Sequence, residues 1–262
     1  MHFTVDGQRI NATTGGRPFD PAKPVVLFVH GAGFDRTCWN LQTRYFAHHG
    51  RAVLAVDLPG HGESEGTPLP TIEAMADWVP KLLDAAGARQ AAIVGHSMGA
   101  MIAVQAAARH PDRVRALALC GVAAAMPVHP DMLESAKAGT AKVRELMTFW
   151  GVGRSLQLSG MSVPGLWLTR TALAILERNR PGVISNDLEA CNAHKTLAEA
   201  GKSVKCPTLL VLGDGDLMTP VRNAKALAEA IAGSRSEIIG DSGHFMMIER
   251  PDETLAALKT IV

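Results

Sequence analysis

The chain has 262 residues, a formal net charge of +1 and a hydrophobic content of 47%. This length fits one large α/β domain, and the hydrophobic share is sufficient for a sizeable core. The small net charge gives no sign of a nucleic-acid, membrane or acidic partner. The N-terminus lacks the basic and apolar runs of a secretory signal.

The four cysteines are far apart, and no CxxC pair or Cys/His cluster occurs. This spacing suggests neither a zinc site nor a disulfide framework. We therefore expect buried thiols in a reducing, cytoplasmic compartment and no metal or other cofactor. The cysteines concerned are Cys38, Cys120, Cys191 and Cys206.

The N-terminal part begins with two short strand-like runs, 3–5 and 8–13. Asp6-Gly7 between them is typical of a two-residue hairpin turn. Two continuous apolar runs, 25–29 and 52–56, predict buried strands. Together they predict a hairpin followed by the first strands of a central sheet.

An amphipathic helix is expected over 71–86, and Pro80 should either kink it or mark its start. After the next apolar run the chain reads Gly95-His96-Ser97-Met98-Gly99, followed by helix formers over 100–109. A strand that ends in G-x-S-x-G and passes into a helix is typical of a nucleophile elbow. We therefore predict that Ser97 is a nucleophile on a strained turn.

The C-terminal half continues the alternation of strands and helices. Apolar strands are expected at 115–120 and 208–212, and helices near 221–232 and 252–262 bracket a last strand at 235–239. This order predicts an α/β fold with a mostly parallel central sheet flanked by helices.

Residues 126–195 contain no clean strand and predict three or four helices. One is expected over 131–150, one over 164–178 with Pro164 near its start, and one over 186–195 with Ser185 as N-cap. We expect this segment to be a helical insertion, so that residues 1–125 and 196–262 form the core.

A serine hydroxyl needs a base to take its proton, and histidine is the usual base. His244 lies in a loop between the last strand and the C-terminal helix. Such a loop ends near the carboxyl edge of a parallel sheet, at the same edge as the elbow. His244 is therefore the predicted base.

The third catalytic residue should be a carboxylate between Ser97 and His244. Asp214 and Asp216 both follow the strand at 208–212, and Asp216 lies further out in the loop, where it can reach the histidine. Asp241 is a weaker candidate, since it shares the histidine's loop and has the character of a turn residue.

The oxyanion of an acyl-transfer intermediate needs two preorganised donors. One should be the backbone N–H of Met98, directly after the nucleophile. The other should come from the loop after the strand at 25–29, where Ala32 is the preferred donor and Gly33 the alternative.

These motifs resemble the α/β-hydrolase superfamily over nearly the whole chain. The motifs are His30-Gly31, Asp57-x-x-Gly60-x-Gly62-x-Ser64, Gly95-x-Ser97-x-Gly99, Gly213-x-x-Asp216 and Gly243-His244. The resemblance also implies that Asp216 is the acid and that 126–195 is a cap over the active site.

The predicted function is hydrolysis of carboxylic esters, thioesters or lactones with small to medium apolar acyl groups, through an acyl-enzyme. The partner is then a small-molecule ester-like substrate. Carbon–carbon hydrolysis or acyl transfer on the same machinery is the alternative, and a non-catalytic binding protein is a third. The residues expected to line the substrate pocket are Phe34, Trp150, Trp167 and Phe245.

Overall fold

A computed structural model describes residues 1–158, 165 and 167–262. Eight strands form one sheet in the order β1-β2-β4-β3-β5-β6-β7-β8. The strands are β1 (His2–Val5), β2 (Gln8–Thr13), β3 (Val25–Val29), β4 (Ala52–Val56), β5 (Ala91–His96), β6 (Val114–Cys120), β7 (Thr208–Gly213) and β8 (Arg235–Ile239). The six strands from β3 to β8 run parallel to one another, which confirms the predicted fold class.

Strands β1 and β2 form the predicted antiparallel hairpin, with Val5 opposite Gln8. Asp6 and Gly7 both have positive φ angles, 50° and 78°. Two successive residues of this kind match the twist of a tight hairpin. The hairpin joins the parallel sheet through the antiparallel pairing of β2 with β4.

The central strands are buried on both faces, since every residue of β3, β4, β5 and β7 is buried. Such strands are continuous apolar runs because helices cover both sides of a parallel sheet. The helices of the described residues are α1 (Asn40–His48), α2 (Ile72–Ala85), α3 (Met98–Arg109), α4 (Pro130–Lys137), α5 (Ala141–Gly151), α6 (Leu168–Glu177), α7 (Val183–Ala193), α8 (Leu197–Gly201), α9 (Val221–Ala230), α10 (Met246–Glu249) and α11 (Pro251–Leu258). Among them, none combines the length and apolar character that a membrane crossing requires.

Helix α2 contains Pro80 in its interior rather than beginning there. Its start is set instead by Thr71, whose side-chain oxygen accepts a hydrogen bond from the Ala74 amide at 3.1 Å. The alternative start at Pro80 was therefore wrong, because a threonine N-cap lies a full two turns earlier.

The helical segment, residues 126–195, lies between β6 and β7 along the chain. The single helix predicted over 131–150 is divided into α4 and α5. Gly139, with a φ angle of 66°, lies between them. This left-handed glycine explains the break, because it ends one helix before the next begins.

The last two helices of the segment also begin at residues other than those predicted. Helix α6 begins at Leu168, and the predicted start at Pro164 lies outside the described residues. Helix α7 begins at Val183 after Gly182, so the prediction of Ser185 as N-cap was wrong. The Ser185 hydroxyl instead donates to Glu189 within the helix at 3.3 Å.

All four cysteines are free thiols, and three of them are buried, as expected. Cys206 is half-buried. Burial raises the pKa of Cys120 to about 12. The thiol of Cys120 is therefore neutral and packs as a small apolar group.

Candidate active site

Ser97 lies on the turn between β5 and α3, with φ 54° and ψ −117°. This conformation is rare for a residue with a side chain. The flanking glycines allow the tight turn, because a Cβ atom on Gly95 would overlap the Gly99 carbonyl oxygen. A Cβ atom on Gly99 would likewise overlap the carbonyl oxygen of Val29 in the neighbouring strand. The turn therefore has the geometry of the predicted elbow.

His244 and Asp216 are in direct contact, with Nδ1 of the imidazole 2.8 Å from Oδ2 of the carboxylate. Both side chains are buried. A carboxylate can only accept here, so Nδ1 carries the proton and Nε2 carries the lone pair. Nε2 has no hydrogen-bond partner among the described residues. The imidazole is therefore arranged to accept a proton at Nε2.

The Asp216 carboxylate accepts three further hydrogen bonds. The amides of Met218 and Thr219 donate to Oδ1, each at 2.8 Å, and the Thr219 hydroxyl donates to Oδ2 at 2.7 Å. Burial alone would raise its pKa, but His244 and the hydrogen bonds from Thr219 lower the pKa of Asp216 to about 2. The Asp216 carboxylate of the folded protein is therefore ionised at neutral pH.

The two rival carboxylates do not contact the imidazole. Asp214 accepts a hydrogen bond from the Ser242 amide at 3.2 Å. Asp241 has a positive φ angle of 50° and lies 3.6 Å from Nη2 of Arg250. Asp214 therefore supports the histidine loop, and Asp241 forms a turn, as expected for a residue that favours turns.

The side chain of Glu249, which was not among the predicted site residues, holds the His244 loop. Glu249 accepts hydrogen bonds from the amides of Gly243 at 2.7 Å, Phe245 at 2.9 Å and Gly153 at 3.0 Å. Burial raises the pKa of Glu249. The sequence carried no signal for this role, because the acid lies in a four-residue helix that the apolar pattern did not predict.

His96, next to the nucleophile, donates from Nε2 to the carbonyl oxygen of His244 at 2.9 Å. Its ring centroid lies 4.7 Å from that of His244. Burial and the neighbouring imidazole hold the pKa of His96 well below its usual value. His96 is therefore neutral and fixes the backbone that carries the candidate base.

The predicted oxyanion donors differ in their availability. Among the described residues, the amides of Ala32 and Met98 donate no hydrogen bond. Met98 is the first residue of α3, where helix amides have no intrahelical partner. The Gly33 amide donates to Oδ2 of Asp187 at 2.8 Å, so it is already engaged and the structure contradicts its assignment as an oxyanion donor.

A cavity of about 240 Å³ lies at the candidate site. Ser97 and His244 line it together with Ala32 and His96, and apolar side chains form much of the remaining wall. These side chains include Phe34, Met126, Met132, Met147, Trp150, Leu188, Leu217 and Phe245. The wall therefore combines the loops of the sheet edge with helices of the helical segment.

Three of the four predicted pocket residues line this cavity: Phe34, Trp150 and Phe245. The rings of Phe34 and Phe245 lie 4.8 Å apart. Trp167 does not line the cavity, and 64% of its surface is exposed. Its prediction as a pocket residue was wrong, because an apolar residue type does not determine which face of a short segment is buried.

Within the described ranges, no three His, Cys, Asp or Glu side chains are grouped so that they could hold a metal ion. The site is thus made of a serine, an imidazole and a carboxylate at the carboxyl edge of the sheet. These are the groups that nucleophilic catalysis requires.

Comparison with known proteins adds the family context. The family model described as "alpha/beta hydrolase fold" matches residues 24–251. The chain is 27% identical to the pimeloyl-[acyl-carrier protein] methyl ester esterase of Aromatoleum aromaticum, covering 92% of this chain and 98% of that protein. It is 32% identical to the esterase of the same name from Neisseria meningitidis serogroup A, covering 91% of this chain and 76% of that protein.

A solved structure is also similar over the full length. The enol-lactonase from Burkholderia xenovorans LB400 superposes with a TM-score of 0.87 at 25% identity, covering 99% of this chain and 98% of that chain. The similarity thus extends across both the sheet and the helical segment.

Proposed function

The chain belongs to the α/β hydrolase fold family and is an esterase-type hydrolase, and from this premise we propose that it cleaves carboxylic esters with Ser97, Asp216 and His244 as a catalytic triad. The single observation that carries this proposal is the state of His244. Its Nδ1 is held by a buried carboxylate, and its Nε2 has no partner within the described residues while lining the same cavity as Ser97.

The reaction would proceed through an acyl-enzyme. Ser97 Oγ attacks the ester carbonyl carbon while its proton passes to Nε2 of His244. The tetrahedral intermediate then collapses, the carbon–oxygen bond to the alcohol breaks, and the imidazolium returns the proton to the leaving oxygen. Water attacks the acyl-enzyme by the same route, which releases the acid and restores Ser97.

The negative charge on the carbonyl oxygen needs fixed donors. We assign this role to the backbone amides of Ala32 and Met98, which have no other acceptor among the described residues. Such donors cost no reorganisation during the reaction, so they stabilise the transition state more than the bound ester.

The substrate is proposed to carry a small to medium apolar acyl group. The cavity of about 240 Å³ is smaller than the roughly 300–1,000 Å³ of pockets that hold drug-sized ligands. Its wall is rich in methionine, leucine and aromatic side chains. Thioesters and lactones present the same carbonyl chemistry, and the relatives are named for a methyl ester and an enol-lactone.

We further propose that residues 126–195 act as a cap. Trp150 of α5 and Leu188 of α7 face the same cavity as Ser97. A cap in this place would exclude water and limit the length of the acyl group.

A fluorophosphonate probe tests the proposal directly. Intact-mass measurement should show one phosphonyl adduct, and peptide mapping should locate it at Ser97, with no adduct in Ser97→Ala. Product analysis with and without an added alcohol then distinguishes hydrolysis from acyl transfer. An unlabelled protein would contradict a nucleophilic serine, and an ester product formed in preference to the free acid would favour an acyltransferase.

A further inference from the structure

Asp187 links the helical segment to the loop that carries a proposed oxyanion donor. It lies on α7 and is fully buried. Its Oδ2 atom accepts a hydrogen bond from the Gly33 amide at 2.8 Å. The same oxygen lies 2.8 Å from Nε2 of His61. One carboxylate oxygen therefore connects α7 to two separate loops of the core.

His61 is a cation in this arrangement. Its Nε2 faces the Asp187 carboxylate, and its Nδ1 lies 3.0 Å from the carbonyl oxygen of Pro59. Both neighbours are acceptors, so both ring nitrogens donate, which only the imidazolium can do. Burial alone would lower the pKa of His61. The charge of Asp187 and its hydrogen bond outweigh burial and raise this pKa above its usual value.

His30, whose ring centroid lies 4.9 Å from that of His61, is neutral. Its Nε2 accepts a hydrogen bond from the Leu58 amide at 3.1 Å, and its Nδ1 donates to the Gly31 carbonyl oxygen at 2.9 Å. Burial and the nearby charge of His61 lower the pKa of His30. The positive charge in this buried cluster is therefore on His61, where it balances Asp187.

The helical segment binds both backbone polar groups of Gly33. Asp187 accepts from its amide, and the Asn179 side chain donates to its carbonyl oxygen at 2.5 Å. Gly33 has a φ angle of 66°, in the left-handed region. Its amide belongs to the peptide directly after Ala32. The orientation of this peptide limits the direction in which the Ala32 amide can point.

We propose that Asp187, paired with His61 and bonded to the Gly33 amide, is a positioning residue that holds the Ala32 amide toward the oxyanion. This inference rests on the proposed function. Since a proposed oxyanion donor matters most when charge develops on the carbonyl oxygen, loss of Asp187 should affect the transition state more than substrate binding.

The test compares Asp187→Ala and the isosteric Asp187→Asn with a control variant, Glu73→Gln. Glu73, in the first turn of α2, also forms a carboxylate–histidine contact with the helical segment: its Oε1 lies 2.9 Å from Nδ1 of His194, which directly follows α7. Within the described residues, Glu73 makes no hydrogen bond to the loop that carries Ala32. Kinetics on p-nitrophenyl butyrate and binding of a trifluoromethyl ketone, which forms a tetrahedral adduct, are measured for the wild-type protein and these three variants.

For Asp187→Ala we expect kcat to fall by about 10- to 100-fold while KM changes less than about threefold. Affinity for the trifluoromethyl ketone should fall by a similar factor. Asp187→Asn keeps the shape and removes the charge, so it should show a smaller loss in the same direction. It also carries the test if the alanine variant does not fold.

Hydrogen exchange of the Gly33 amide adds a readout that needs no substrate. It should be faster in both Asp187 variants than in Glu73→Gln. If kcat and inhibitor affinity of Asp187→Asn stay within about twofold of Glu73→Gln, the positioning role is overturned. A wild-type protein that hydrolyses no ester would instead overturn the proposed function, while the exchange rates still decide whether Asp187 holds the loop.

Discussion

Asp216 Oδ2 lies 2.8 Å from Nδ1 of His244, with both side chains buried. This contact fixes the imidazole tautomer that leaves Nε2 able to accept a proton. Asp214, two residues earlier, bonds the Ser242 amide at 3.2 Å instead. The two acids that the sequence placed at one strand end therefore have different partners.

Asp216→Asn should lower kcat by about 10⁴-fold, because an amide favours the wrong imidazole tautomer and cannot stabilise the imidazolium. Asp214→Asn serves as the matched control and should have a small effect, since it contacts backbone rather than imidazole. Steady-state kinetics on p-nitrophenyl butyrate measure both. The opposite ranking would assign the catalytic acid to Asp214.

The acid side of the pH profile should reflect one proton. The pKa of Asp216 is lowered to about 2, so this carboxylate stays charged as the pH falls through the acid range. The loss of activity at low pH should therefore follow one proton that is taken up elsewhere in the site, by the group that accepts the Ser97 proton. A plot of log kcat/KM against pH should then reach a slope of about one. A steeper limit would show that a second group titrates as well.

Trp150→Ala should shift the acyl-chain preference toward longer groups. Trp150 lines the cavity, so removing the indole ring should enlarge the cavity. Trp167→Ala is the control, since its side chain is 64% exposed and lies outside the cavity wall. The measurement is a series of p-nitrophenyl esters from acetate to palmitate. A wild-type optimum at palmitate, or equal profiles for both variants, would contradict the proposed cap.

Glu249→Gln should lower the free energy of unfolding by about 1–3 kcal/mol, because an amide nitrogen would face a backbone donor in a buried place. It should also lower kcat, since Glu249 holds the amides on both sides of His244. The exposed acid Glu253 on α11 offers a control variant, Glu253→Gln. Denaturant unfolding and ester kinetics on both variants test this, and unchanged values for Glu249→Gln would refute it.

The strands and the elbow were predictable because their information is local. A buried parallel strand is a continuous apolar run, so 25–29 and 52–56 were predicted with the bounds that β3 and β4 have. The elbow motif sets its own turn through two glycines. The loop position and the family resemblance both favoured Asp216 over Asp214, and the structure brings Asp216 to the imidazole.

The remaining features depend on tertiary packing. The division between α4 and α5 at Gly139 was missed, although a left-handed glycine is a common helix end. Neither the bond from Gly33 to Asp187 nor the support from Glu249 has a local signal. Gly33 and Asp187 are 154 positions apart in the chain, so their contact depends on how α7 packs on the sheet edge.

The most direct test of the account is the activity of Ser97→Ala on p-nitrophenyl butyrate. We predict that kcat/KM falls by about 10³-fold or more, because the proposed acyl-enzyme cannot form without the hydroxyl. The melting temperature should change little, since only one oxygen atom is removed. A Ser97→Ala protein that turns over the ester at a near wild-type rate would contradict the account.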